Sequence, residues 1–130
     1  MYYFTMTLKQ FEKISFDPNL PIFLQIMNYV KKLIVRGILK PGEKVPSVRE
    51  MALHLGVNPN TVQKAYEELE SEGVIFTKRG QGNFVSENHH LVVELKNKMI
   101  QDIMDKFLKE LMELGFSREE IKEILKELEI

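Results

Sequence analysis

Cysteine is absent from the 130 residues, which excludes a disulfide framework, a thiol nucleophile and a cysteine zinc site, and suits a reducing cytoplasm. No apolar run approaches the ~20 residues needed to span a bilayer, so no membrane partner is expected. The opening MYYFTMTLKQFEKI is apolar in places but has no basic start and no small-residue cleavage site, so residues 1–14 are read as an extended or helical lead-in that packs on the body. A nucleophile elbow, a P-loop, a dinucleotide glycine fingerprint and the HExxH spacing are all missing, and with them any support for catalysis or a cofactor. The numerous carboxylates sit on solvated helix faces at salt-bridging intervals, as Glu123 does with Lys126. Metal binding finds no better ground: His89 and His90 are adjacent in a linker, and His54 stands alone. The 44% hydrophobic and 28% charged shares are those of an ordinary globular chain.

What is present is concentrated between Pro41 and Val85. Ser47 followed three residues later by Glu50 is a capping box, in which the hydroxyl accepts from an orphan helix N–H and the carboxylate reaches back to the cap. Val48, Met51, Ala52 and Leu55 then recur at helical spacing, and Gly56 supplies the positive φ that ends a helix cheaply. Asn58 caps a second helix with Pro59 in its first turn, where the missing N–H costs nothing, and this helix runs to Ser71 or Glu72. Its inward stripe is Val62, Ala65, Tyr66 and Leu69, which leaves Asn60, Thr61, Gln63 and Lys64 facing outward near the N-terminus. In a helix-turn-helix those turns enter the major groove, where amides pair with adenine and lysine meets phosphates or base edges. Glu67, Glu68, Glu70 and Glu72 all fall in the distal half. Helix-dipole preference predicts the reverse gradient; phosphate repulsion predicts this one. After Gly73, Val74 to Thr77 and Asn83 to Val85 read as two strands around a Lys78–Gly82 loop, a hairpin with Arg79 at its tip.

Divided by segment, the charge agrees. Residues 20–86 hold nine Lys or Arg against six Glu, a net +3, whereas residues 87–130 hold seven against eleven acids, a net −4, so the tail is expected to face away from phosphates. Ahead of the motif, Ile22, Phe23, Ile26, Met27, Val30, Leu33 and Ile34 form a bracing helix from Pro21 to Arg36, whose Lys31, Lys32 and Arg36 need no role beyond solvation. From Leu91 to Leu114, Leu95, Met99, Ile103, Phe107 and Leu111 step by four beside a parallel row of Ile100, Met104, Leu108 and Met112. Gly115 breaks that helix, Ser117 and Glu120 form another capping box, and Ile121, Ile124, Leu125 and Leu128 give a last helix its apolar face. Two such helices want a partner, and the economical one is the same hairpin from a second chain, the alternative being a tail packed on its own winged domain. The methionines are core filling rather than a ligand box.

The runs Pro41-Gly42, Val45-Pro46-Ser47-x-Arg49-Glu50, Gly56-Val57-x-x-x-Thr61-Val62, Ala65-Tyr66-x-x-Leu69, Glu72-Gly73 and Gly80-x-Gly82-x-Phe84-Val85 resemble the GntR family of bacterial transcription regulators over residues 15–86. Asn58 to Thr61, the Pro21 to Ile26 opening and the short tail resemble its YtrA subfamily. The resemblance implies DNA contacts from the Ser47 and Arg49 element, from Asn58, Pro59, Asn60, Thr61 and Gln63, and from Arg79 and Gly80 at the wing. It also implies dimerisation through the tail and excludes the larger effector domains of other subfamilies. Many members carry arginine where this chain has Pro59 and Gln63, so readout is expected to shift to Asn60, Thr61 and Lys64, with Arg49 on phosphate or guanine.

The expected fold is therefore mainly α with a small β-hairpin wing: a lead-in over 1–14, a winged helix-turn-helix over 15–87 and a two-helix dimerisation hairpin over 88–130. The expected function is that of a cytoplasmic homodimeric repressor of an inverted-repeat DNA operator, of a transporter operon by the resemblance to YtrA, with the small-molecule effector unknown. The competing reading is a winged-helix module that docks a protein and reads no base sequence.

Overall fold

The computed structural model describes residues 11–130, in two compact units that divide between Val93 and Glu94. Most of the lead-in expected over 1–14 lies outside the described residues; within the described part, Phe11 and the Glu12 carbonyl make contacts with the body. Phe11 is buried, its carbonyl lies 2.9 Å from His54 Nε2, and the Glu12 carbonyl accepts from Tyr29 Oη at 2.6 Å.

In the first unit, α1 (Ile22–Val35) buries Ile26, Met27, Tyr29, Val30, Leu33 and Ile34. The Gln25 side chain pins the loop before it, accepting from Asp17 N and donating to the Asp17 and Leu20 carbonyls. The helix-turn-helix follows as α2 (Val48–Leu55) and α3 (Pro59–Ser71), with Gly56 between them at φ 69°. Ser47 caps α2, but only half of the expected box forms: its Oγ accepts from Glu50 N and donates to the Glu50 carboxylate at 2.7 Å, which holds that carboxylate at the hydroxyl. Asn58 Oδ1 caps α3 by accepting from Asn60 N at 2.8 Å. Both α1 and α2 pack on α3, which buries Val62, Ala65, Tyr66 and Leu69. Each fully buried aliphatic side chain contributes about 1.5–3 kcal/mol.

The wing is β1 (Ile75–Lys78) antiparallel to β2 (Gly82–Val85), in the register Ile75 to Val85, Phe76 to Phe84, Thr77 to Asn83 and Lys78 to Gly82. Lys78 and Gly82, expected in the loop, are thus paired strand residues, and Val74 precedes the strand. The turn shrinks to Arg79–Gln81, with Gln81 N bonded to the Lys78 carbonyl and Gly80 at φ 77°, the third turn position, where type II geometry requires positive φ. Sequence periodicity also missed a short third rung: Val45 N donates to the Asn83 carbonyl and Val85 N to the Glu43 carbonyl, placing Lys44 beside Phe84.

Helix α4 (His89–Glu113) begins in the first unit and continues into the second. Asn88 starts it through an Oδ1 bond from His90 N, so His89 and His90 belong to a first helical turn and not to a linker. Gly115 at φ 93° ends the run, and Ser117 and Glu120 close a complete capping box on α5 (Arg118–Lys126). Among the described residues, no helix is long and apolar enough to cross a membrane.

Candidate nucleic-acid interface

The local chemistry that starts α3 also builds the candidate reading surface. With Asn58 capping and Pro59 first in the helix, Asn60, Gln63 and Lys64 stand exposed and Thr61 half-buried, while Val62, Ala65 and Tyr66 hold the opposite face in the core. A buried bond fixes the pitch of this helix against the segment before α2: Tyr66 Oη donates to the Pro46 carbonyl at 2.7 Å. Burial pushes the Tyr66 phenol well above its ordinary range, with Glu50 and Tyr29 adding to the rise, so the hydroxyl remains a donor at any physiological pH.

Of the other candidates, Arg49, Arg79 and Gly80 are exposed. Ser47 is exposed as well, but its hydroxyl is committed to the cap and to Glu50. Gln63 donates to Glu67 at 3.1 Å across one helical turn. Lys64 Nζ rests 4.1 Å from the centroid of the Phe23 ring on α1, an attraction worth about 0.5–1 kcal/mol at exposed sites. Asn60 and Thr61 are thereby left as the outward groups of the first α3 turn with no side-chain partner among the described residues. The acids of the distal half are partly spoken for: Glu72 pairs with Lys31 at 2.7 Å, and Glu70 accepts from the Thr77 hydroxyl. Arg36, paired with Glu12 at 3.3 Å, and Lys31 therefore have partners within the chain.

Beside α3, the wing brings together cations that the linear pattern did not join. Phe76 and Phe84 stack with centroids 5.8 Å apart, and Lys78 Nζ lies 4.6 Å from the Phe84 centroid. Lys44, which sequence reading passed over, joins them through the third rung. Its only signal in the sequence is the step from an exposed Lys44 to an apolar Val45.

In the second unit, the candidate dimerisation residues separate into classes. Ile103, Phe107, Ile124 and Leu128 are exposed, and Leu95, Met99 and Leu111 are half-buried; Leu128, expected on the face of the last helix, lies past its end, because α5 stops at Lys126. Ile121 departs from expectation, being only 3% exposed. It lines an apolar groove of about 600 Å³ with Leu108, Met112 and Leu125, so its side chain closes the hairpin on itself and has little area left for a second chain. Groups of three or more His, Asp or Glu placed to hold a metal are absent among the described residues.

A capped two-helix turn, an outward amide and hydroxyl at the second helix and a basic hairpin beside it define a winged helix-turn-helix DNA-binding protein. The profile of the family described as "Bacterial regulatory proteins, gntR family" matches residues 23–85. The HTH-type transcriptional repressor YtrA of Bacillus subtilis is 44% identical over 118 residues, covering 88% of this chain and 91% of its own. A GntR family transcriptional regulator from Listeria monocytogenes superposes with a TM-score of 0.80 at 38% identity, over 88% of this chain and all of that one. The DNA-binding domain of AraR in complex with operator ORX1 does so with a TM-score of 0.53 at 29% identity, over 58% of this chain and 95% of that one. The chain belongs to the GntR family, a family of transcription regulators rather than enzymes.

Proposed function

We propose that this regulator is a homodimeric repressor acting in the cytoplasm on an inverted-repeat operator. In this reading Asn60, Thr61 and Lys64 read base edges, Arg49 holds phosphate or guanine, and Arg79 with Gly80 meets the minor groove or its phosphates. Lys64 leaves the Phe23 ring to do so, at a cost well below one good base contact. The single observation that carries the reading is the start of α3, which offers an exposed amide, a half-buried hydroxyl facing outward and no carboxylate before Glu67. The apolar residues that α4 and α5 expose support pairing of the tail with a second copy, since a monomer gains nothing by leaving Ile103, Phe107 and Ile124 in water. Two-fold pairing places the two recognition helices about 34–36 Å apart, one turn of the DNA, hence an inverted repeat. Repression follows the kinship with YtrA, itself named a repressor, and a transporter operon as the target is what the resemblance to the YtrA subfamily implies.

The test is a binding titration on the region upstream of the chain's own gene and of neighbouring transporter genes. Asn60→Ala is expected to weaken operator binding by about 1–3 kcal/mol and relax base preference at one position of each half-site. Equal binding of every duplex by wild type and variant would favour a module that reads no sequence.

A further inference from the structure

The outer face of the wing carries a feature that an Arg79-tipped hairpin does not explain. Directly paired strand residues share a face, and faces alternate every residue. Lys44 is bridged to Phe84, Phe84 is paired with Phe76, and Lys78 with Gly82, so all five lie on one side. Val45, Ile75 and Val85 lie on the other, buried side. Glu70, the acid bonded to the wing, reaches Thr77, which belongs to that second face.

Both outer lysines are held rather than free. A β-carbon added at Gly82 would come within 3.0 Å of Lys44 Cε and 3.7 Å of its Nζ, so the Lys44 stem lies across the bare glycine and points to the turn. Lys78 lies on the Phe84 ring. Lys44 thus reaches along the outer face as far as Gly82, where the turn carrying Arg79 closes, and Lys78, the residue before Arg79, rests on the same face over the Phe84 ring. None of these three cations forms a salt bridge among the described residues. Three like charges on one short hairpin, with no acid paired to them, repel each other in the free protein, and a chain of phosphates relieves that repulsion. Because packing already restrains the two lysine stems, less side-chain entropy is lost on contact.

We infer that Lys44 is a DNA phosphate-binding residue, forming with Lys78 and Arg79 a three-cation clamp on the phosphodiester backbone, and that Gly82 is the seat that aims it. The inference rests on the DNA-binding reading of this unit. It makes the wing an affinity element that acts on any sequence, separate from the base readers of α3.

The experiment measures binding of the full chain to a fluorescein-labelled mixed-sequence duplex between about 50 and 200 mM salt, where nonspecific phosphate contacts dominate. Lys44→Met keeps the stem on Gly82 and removes only the charge. It should make the slope of log affinity against log salt shallower by about 0.9, the value of one phosphate contact. Lys44→Arg should restore the slope, and Lys44→Gln serves as a second charge-removing variant. Unchanged circular dichroism establishes that the variants fold. A slope unaltered in Lys44→Met and Lys44→Gln, with Arg79→Ala still lowering it, overturns the clamp and leaves the proposed function standing. A wild-type chain with no salt-dependent binding removes both.

Discussion

Single side chains fall into two groups according to how far their partners lie along the chain. Ser47, Gly56, Asn58 and Ser117 act within three residues, so their caps and positive φ were legible in the sequence. Tyr66 to Pro46, Tyr29 to Glu12 and Lys44 to Phe84 span 17 to 40 positions, and no spacing rule encodes them. Tyr66→Phe should cost about 1–3 kcal/mol in urea denaturation, because the Pro46 carbonyl loses its buried donor. The two phenols also predict an alkaline limit. Burial, then the Glu12 charge, pushes Tyr29 up to about 12 against the pull of Arg36, and burial raises Tyr66 in the same direction. The folded state thus keeps protons that the unfolded chain releases near pH 10, so the contribution is whole below pH 10 and is lost as pH rises through the folded values. Denaturation midpoints should hold steady from neutral pH to about 10 and then fall, and Tyr29→Phe should soften that fall.

Elements that carry their own stop and start signals are legible in the sequence nearly to the residue, whereas those defined by pairing are not. Helix α3 ends at Ser71 as its stripe implies, yet the wing turn is shorter than the linear pattern implies, because only cross-strand register recruits Lys78 and Gly82 to the ladder. The third rung at Lys44 consists of two backbone bonds and leaves no periodic trace. Helix α5 is the opposite case, a local signal with little packing behind it. At nine residues it is shorter than the ~12–15 that hold an isolated helix in water, and it buries Ile121 alone. Its capping box therefore carries an unusual share of its stability. Ser117→Ala should cost about 1 kcal/mol, visible as lost ellipticity at 222 nm and earlier melting of the tail, while the same change at an uncapped α5 position such as Glu123 should be nearly silent.

Across the whole molecule, the division of charge and of exposed apolar surface follows the boundary between the two units. The basic surplus lies in the winged part and the acidic one in the tail, an arrangement that attracts DNA to one part and discourages it at the other. The apolar residues of the tail were legible as stripes, but which of them the single chain consumes was not, because a stripe shows a face and not its occupant. Ile121 is consumed at 3% exposure, whereas Ile103 remains 67% and Phe107 40% exposed. This difference separates two kinds of mutant. Ile121→Glu buries a charge inside the hairpin and should unfold α5 whatever the oligomeric state. Ile103→Glu with Phe107→Glu leaves every side chain of the single-chain core in place and meets a carboxylate only when a second copy arrives. On the proposed pairing, the wild type should sediment as a dimer and that double variant as a folded monomer. It should also lose most of its operator affinity, since one winged unit must then bind without its tethered twin. A double variant that still sediments as a dimer would move the interface away from this stripe.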